Sequence, residues 1–442
     1  MSTKDTKKQQ SNDDMTGRRT FLKSAVALGS IPTLAGMFAE NALAHENALS
    51  PLKFQGEVPK SVIGQYGPWA SSLPGKGPRP LSFRNAKWKD LKSWKAAALP
   101  RVKELVASPE VGGVPKVTVV KSYQYDGLHI EELQWSLPYG RPTSAILLKP
   151  ANSKEPLPAI LGLHDHGGNK YFGRRKITRT SDDAHPMMKE HQENYYEGKA
   201  WANEIAKRGY VVLVPDNFTF GSRRVYYQDV DYIRYGACNV EGRTDENPES
   251  SENINAYNQW AGEHEHIMSK SLFCGGTTWP GVLLAEDQRA LDVLCARKDV
   301  DVDNVGCSGL SGGGLRTVYL AGLDHRVKCA VGVGFMTTWD DFLLYRSFNH
   351  TWMTYTPLLP REMDFPEIIG LRVPLPTMIL NNSEDQLFTP PEMKKAEKIL
   401  RELFDKAGAS EKLEVNFYPG PHKYDAKMQA DAFRWFDRWL KG

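Results

Sequence analysis

The hydrophobic rhythm of the chain changes near residue 117. Before that point, residues 45–80 are rich in Pro and Gly and carry no repeating apolar pattern. Residues 86–107 place Trp88, Leu91, Trp94, Ala98, Val102 and Leu105 at helical spacing, which predicts a helix or two, broken or kinked at Pro100. Beyond 117, short β-branched runs alternate with amphipathic stretches. Strands are expected at 117–123, 130–137, 144–149, 159–164, 211–215, 304–307, 329–333, 377–381 and 414–418. Helices are expected at 195–208, 282–296, 312–323, 392–406 and 425–440. Such alternation predicts an α/β fold with a mostly parallel central sheet and helices on both faces. The first strands have no helices between them, so an antiparallel hairpin should form one edge of the sheet.

Two stretches break the alternation. Residues 218–280 are polar and aromatic with few helix signals, and residues 335–373 are dense in Trp, Phe, Tyr and Met. Long excursions from an α/β core are expected to be lids or binding loops. The expected organisation is a leader at 1–44, an N-terminal extension with helices at 45–116, and the main α/β domain at 117–442.

Composition narrows this picture. The 442 residues are 40% hydrophobic and 25% charged, ordinary for a globular chain with a large core. The net charge of +3 gives no reason to expect a nucleic-acid partner. The N-terminus reads as an export signal: Arg18 and Arg19 precede an apolar run over 25–39, and Ala42-Leu43-Ala44 offers a cleavage site before His45. It resembles a twin-arginine signal, although Gly17 stands where Ser or Thr is usual. The run, interrupted by Gly29, Pro32 and Gly36, is shorter than the ~20 apolar residues of a spanning helix. The expectation is a periplasmic or extracellular protein whose mature chain has no integral membrane span. The five cysteines form no C-x-x-C pair; Cys238 and Cys274, both in the first insertion, are the expected disulfide partners if one forms.

The strongest chemical signal is Gly309-Leu310-Ser311-Gly312-Gly313, a G-x-S-x-G between an apolar strand and an amphipathic helix. A serine exposed on that turn is a candidate nucleophile. It needs a base and a group to orient the base, in the chain order Ser, acid, His. Asp385 follows the strand at 377–381 and is the candidate acid, with Glu384 as its rival. His422 follows the strand at 414–418 and is the candidate base. Main-chain N–H groups of Gly312 and of His166, in His164-Asp165-His166-Gly167-Gly168, are the candidate oxyanion donors. Two His-x-His pairs, His164/His166 and His264/His266, lack the further clustered ligands of a metal site, so neither a metal nor another cofactor is expected.

The His164–Gly168 loop, the elbow at Ser311, Leu323-Asp324-His325-Arg326-Val327, Asp385 and His422 together resemble the α/β-hydrolase fold. The dienelactone-hydrolase-like and acetyl-xylan-esterase-like branch is the most similar, over roughly residues 129–442. Ser311 stands where dienelactone hydrolases use Cys, and Gly312 where acetyl xylan esterases usually carry Gln. The resemblance implies an exported serine hydrolase that cleaves a carboxylic ester of a carbohydrate or small molecule through an acyl-enzyme. The alternatives are a prolyl-oligopeptidase-like peptidase, for which residues 45–116 are too few to hold a propeller, and a non-catalytic binding protein of the same fold. Candidate substrate contacts are Trp339 and Trp352 in the second insertion, with Asp340 or Asp341 as partners for hydroxyls. Arg174, with Arg175, Arg223 and Arg224, is a candidate for the same rim, where it would favour an acidic sugar.

Overall fold

The computed structural model describes residues 61–246 and 248–442. The expected leader and the start of the extension lie outside the described residues. Two helices precede the sheet: α1 (Gly67–Ser72) and α2 (Leu91–Val106). Asp90 caps α2 by accepting the Ser93 N–H at 2.9 Å. The helix runs unbroken through Pro100, against the expected break. A mid-helix proline costs about 3 kcal/mol. Trp94, Ala98, Val102 and Val106 on one face are fully buried, and burial at about 1.5–3 kcal/mol for each large side chain outweighs that cost.

The sheet follows. Its strands are β1 (Thr118–Tyr125), β2 (Leu128–Trp135), β3 (Thr143–Pro150), β4 (Leu157–Gly162), β5 (Val211–Pro215), β6 (Val300–Leu310), β7 (Cys329–Val333), β8 (Thr377–Asn382) and β9 (Leu413–Tyr418). They lie in the order β1-β2-β3-β5-β4-β6-β7-β8-β9. The pairs from β5 to β9 are parallel, and β1, β2 and β3 form the antiparallel edge. All nine expected strands are present.

Alternate side chains enter opposite layers. Leu161, Leu213, Cys307, Ala330 and Ile379 pack in one core with α2, α6 (Trp279–Cys295), α7 (Gly312–Leu323) and α10 (Pro390–Lys406). Ile160, Val212, Val331, Met378 and Leu380 face the other, against α4 (Trp201–Lys207) and α11 (Ala426–Leu440). The expected single helix at 195–208 is two, α3 (Pro186–Tyr196) and α4, separated at Glu197, whose φ of 51° ends α3 in a left-handed cap.

The first insertion contains a long helix, α5 (Ser251–Cys274), where the sequence carries few helix signals. Its buried residues are Ile254, Tyr257, Trp260, Ala261, His264, Glu265 and Ser269. Three of those seven are polar, so the hydrophobic period is masked. The Trp260 indole N–H donates to the Cys238 carbonyl at 3.1 Å. Cys274 lies fourteen residues further along the helix, roughly 20 Å at helical rise, far beyond the Cα separation a disulfide tolerates. Both cysteines are free thiols, which corrects the expected pairing. In the second insertion, a π-helical turn at Asp341–Arg346 and two short helices, α8 (Leu359–Glu362) and α9 (Phe365–Gly370), surround a cluster of Phe335, Trp339, Phe342, Phe365 and Phe388 rings.

Candidate active site at the carboxyl edge of the sheet

Ser311 sits between the last residue of β6 and the first of α7, with φ 57° and ψ −119°. This is a strained conformation for a non-glycine residue. Its N–H donates to the Val333 carbonyl at 2.9 Å, anchoring the turn to β7. The flanking glycines are needed for space: a Cβ on Gly313 would fall 2.1 Å from the Leu163 carbonyl oxygen, and one on Gly309 2.2 Å from the same atom. The G-x-S-x-G spacing thus reflects how closely β4, β6 and α7 approach one another.

The two loops after β8 and β9 meet beside this turn. Ser383 N–H donates to the Tyr418 carbonyl at 2.8 Å, and Lys423 N–H to Asn382 Oδ1 at 3.1 Å. His422 Nδ1 lies 2.5 Å from Asp385 Oδ2, while Asp385 Oδ1 accepts the Leu387 N–H at 2.9 Å. The rival acid has another place: Glu384 is exposed, and its Oε1 accepts the Gly420 N–H at 3.2 Å. Burial alone would lower the proton affinity of His422, but the charge and hydrogen bond of Asp385 outweigh it and raise the pKa above the ordinary histidine value. The other ring nitrogen, Nε2, is buried without a protein partner. Ser311 and His422 line the same cavity of about 410 Å³.

The loop leaving β4 closes the third side. Leu163 N–H donates to the Ser308 carbonyl at 2.9 Å. A Cβ on Gly312 would lie 2.9 Å from the His166 main-chain nitrogen, so the two candidate oxyanion donors adjoin. Beneath them, the fully buried Lys176 donates to the carbonyls of Asp165 and His166, both at 2.8 Å. Burial pushes the Lys176 ammonium down to about 8. The Asp165 carboxylate accepts from Tyr196 at 2.5 Å and lies 3.1 Å from His191 Nε2.

The remaining cavity wall is largely apolar, with Leu310, Phe335, Phe348 and Leu387 beside Tyr195, Asn349, His350 and Thr351. Asp165 and Glu265 also line it, and among the described residues no Lys or Arg does. Several expected substrate contacts lie elsewhere. Trp339 is buried in the aromatic cluster, where its indole N–H donates to the Met363 carbonyl at 3.2 Å, so it holds the insertion rather than facing the cavity. Trp352 is 40% exposed and only its main-chain N–H reaches inward, to Glu265 at 3.2 Å. Arg174 is bound by the buried Asp216 and borders a separate cavity with Arg175 and Arg179. Arg223 pairs with Glu286, and Arg224 covers the Tyr226 ring. Asp341 is buried on Thr337 and Thr389, and Asp340 pairs with Lys395. For Trp339, Arg174, Arg223, Asp340 and Asp341, a neighbour from a distant segment claims the side chain.

His164 and His166 point to different partners, the Asp165 carbonyl at 3.0 Å and Glu265 at 2.7 Å. Burial lowers His164 to about 3. Among the described residues, no group of three or more His, Cys, Asp and Glu side chains could hold a metal ion. Sequence reasoning missed Glu265 and Asn349 as wall residues, whereas Phe335 and Phe348 belong to the aromatic second insertion expected to reach the site. The one available signal was Glu265 between the paired histidines of 264–266, in a stretch read as loop.

No family model matches the chain. YtaP of Bacillus subtilis, whose name assigns it only to the hydrolases, is 26% identical over 299 residues, 67% of this chain and 83% of its own length. Among solved structures, a candidate acetyl xylan esterase from Bacteroides fragilis aligns with a TM-score of 0.56 at 18% identity, covering 83% of this chain and 84% of its own. A glucuronoyl esterase from Solibacter usitatus aligns at 0.54 and 13% identity, covering 84% of this chain and all of its own. A CE15 esterase, described as promiscuous, from a marine bacterial metagenome aligns at 0.54 and 15%, covering 84% of this chain and 98% of its own. With its nine-stranded mixed sheet, its strand-turn-helix at Ser311 and these neighbours, the chain has the α/β-hydrolase fold.

Proposed function

We propose that this protein is an exported serine esterase that cleaves a neutral carboxylic ester of a carbohydrate or small molecule. The observation that carries the reading is His422, bonded to Asp385 through Nδ1 and presenting an unpartnered Nε2 to the cavity that Ser311 lines. In this mechanism His422 Nε2 takes the Ser311 hydroxyl proton as Oγ attacks the ester carbonyl. The Gly312 and His166 N–H groups and the amino end of α7 stabilise the developing oxyanion. Collapse expels the alcohol, which receives the proton from His422. Water, deprotonated by the same imidazole, then frees the acid and restores Ser311. No cofactor enters any step.

A neutral substrate is supported by the wall: among the described residues no Lys or Arg lines it, and its two carboxylates, Asp165 and Glu265, are already paired with Lys176 and Lys170. The ester activities in the names of the structural neighbours support the reaction class. The paired arginines ahead of an apolar run support export. The test is to treat the protein beginning at His45 with a fluorophosphonate and assay it on aryl acetates, acetylated xylan, neutral glucuronate esters and prolyl amides. Covalent labelling of Ser311 with turnover of neutral esters is expected. Cleavage of prolyl amides alone would favour the peptidase alternative, and no labelling or turnover would favour a binding protein.

A further inference from the structure

The loop carrying His166 is held by a carboxylate that the mechanism above does not use. His166 Nδ1 accepts the Gly168 N–H at 3.1 Å, so the proton of the neutral ring sits on Nε2. That proton is donated to Glu265 Oε1 at 2.7 Å. Lys170 Nζ donates to the same oxygen at 2.9 Å. Oε2 accepts from Thr351 Oγ1 at 2.7 Å and from the Trp352 N–H at 3.2 Å. One buried carboxylate on α5 therefore receives four donors from two segments, the His166 loop and the second insertion. Burial opposes its charge, but Lys170 and His166 hold it well below the usual carboxylate range. The next two residues of the loop, Gly167 and Gly168, both have positive φ and offer little stiffness of their own. With both ring nitrogens engaged, the His166 side chain limits how its own peptide can turn.

We propose that Glu265 is a positioning residue of the ester-cleaving site, which fixes the His166 ring and through it aims the His166 N–H at the oxyanion beside Ser311. This rests on the proposed esterase reading. Glu265 bonds to none of the reacting atoms, so its loss acts on turnover through His166.

The test is a double-mutant cycle on 4-nitrophenyl acetate with Glu265→Gln, His166→Ala and the double variant. A full oxyanion donor is worth about 10²–10³ in kcat, so a misaimed one should lower kcat by roughly 5–50-fold in each single variant, with KM within about two-fold. Because the residues act as one unit, the double variant should match His166→Ala within about two-fold. Losses that multiply, or that fall on KM alone, would overturn the proposal while leaving the esterase reading intact. A wild-type protein with no ester turnover would overturn both. Melting temperature and near-UV circular dichroism check the fold. If Glu265→Gln does not fold, Thr351→Val, which removes one of the two donors to Glu265 Oε2, replaces it. Its loss of kcat should then vanish in the His166→Ala background, and persistence there would overturn the proposal.

Discussion

His422 is set by two opposing forces. Burial disfavours the imidazolium, and the Asp385 carboxylate at 2.5 Å favours it and prevails. The esterase mechanism needs the neutral ring, so kcat/KM should fall as pH drops through the His422 pKa. Because that pKa is raised, the acid limb should lie above the ordinary histidine value. Asp385→Asn removes the raising charge and leaves burial, so the limb should move to lower pH while the plateau falls by about 10³–10⁴. A pH–rate profile of the two proteins reads both effects; an unmoved limb would detach Asp385 from the base. Glu384→Gln should leave the profile nearly unchanged, since its carboxylate binds Gly420 instead. Phe348 and Trp339 separate binding from packing. Phe348 is 70% exposed and lines the cavity, so Phe348→Ala should raise KM for a bulky ester and spare the melting temperature. Trp339→Ala should cost about 3–5 kcal/mol in stability and affect small and bulky esters alike; selective loss on the bulky ester would return Trp339 to the substrate.

Among the elements, α7 bears the closest constraints. Its first turn has no room beside Leu163, so Gly313→Ala should destabilise by about 1–3 kcal/mol or more and displace Ser311, read by denaturant melts and fluorophosphonate labelling. Arg316 on α7 donates to both oxygens of Asp287 on α6, at 2.9 and 2.6 Å, with both side chains almost fully buried. Arg316→Met would strand the buried carboxylate and should cost about 3–5 kcal/mol. The double variant Arg316→Met/Asp287→Leu should recover part of that loss, and no recovery would mean that the pair contributes more than charge neutralisation. The helix α5 shows why an element can be hidden from its own sequence. It turns Glu265 inward to His166, Lys170 and Thr351, partners that only the fold supplies, and stacks His264 on Trp260 of its own inner face.

For the whole molecule, the parallel register brings the ends of β4, β6, β8 and β9 to one rim, so the loops after them converge. The segment of the proposed export signal lies outside the described residues. Among those residues, no helix is long and apolar enough to cross a membrane. Replacing Arg18 and Arg19 with Lys should trap the precursor in the cytoplasm, checked by fractionation and N-terminal sequencing; normal export would remove the twin-arginine reading. The protein beginning at His45 should fold and be active.

The sequence by itself determined the strands, the helices α6, α7, α10 and α11 and the places of Ser311, Asp385 and His422 on loops that follow strands, because these depend on local periodicity. Nine strand runs and one G-x-S-x-G turn were enough to order the sheet's chemistry along the chain. Only the tertiary structure decided which side chains face the cavity. Trp339, Arg174 and Asp341 look available in the sequence, yet Met363, Asp216 and Thr389 claim them from distant segments. Glu265 is marked in the sequence only by its flanking histidines, yet in the fold it accepts from His166, Lys170 and Thr351. The difference is physical: hydrophobic period is a property of neighbours along the chain, whereas pairing a buried charge takes partners that only folding brings within about 3 Å.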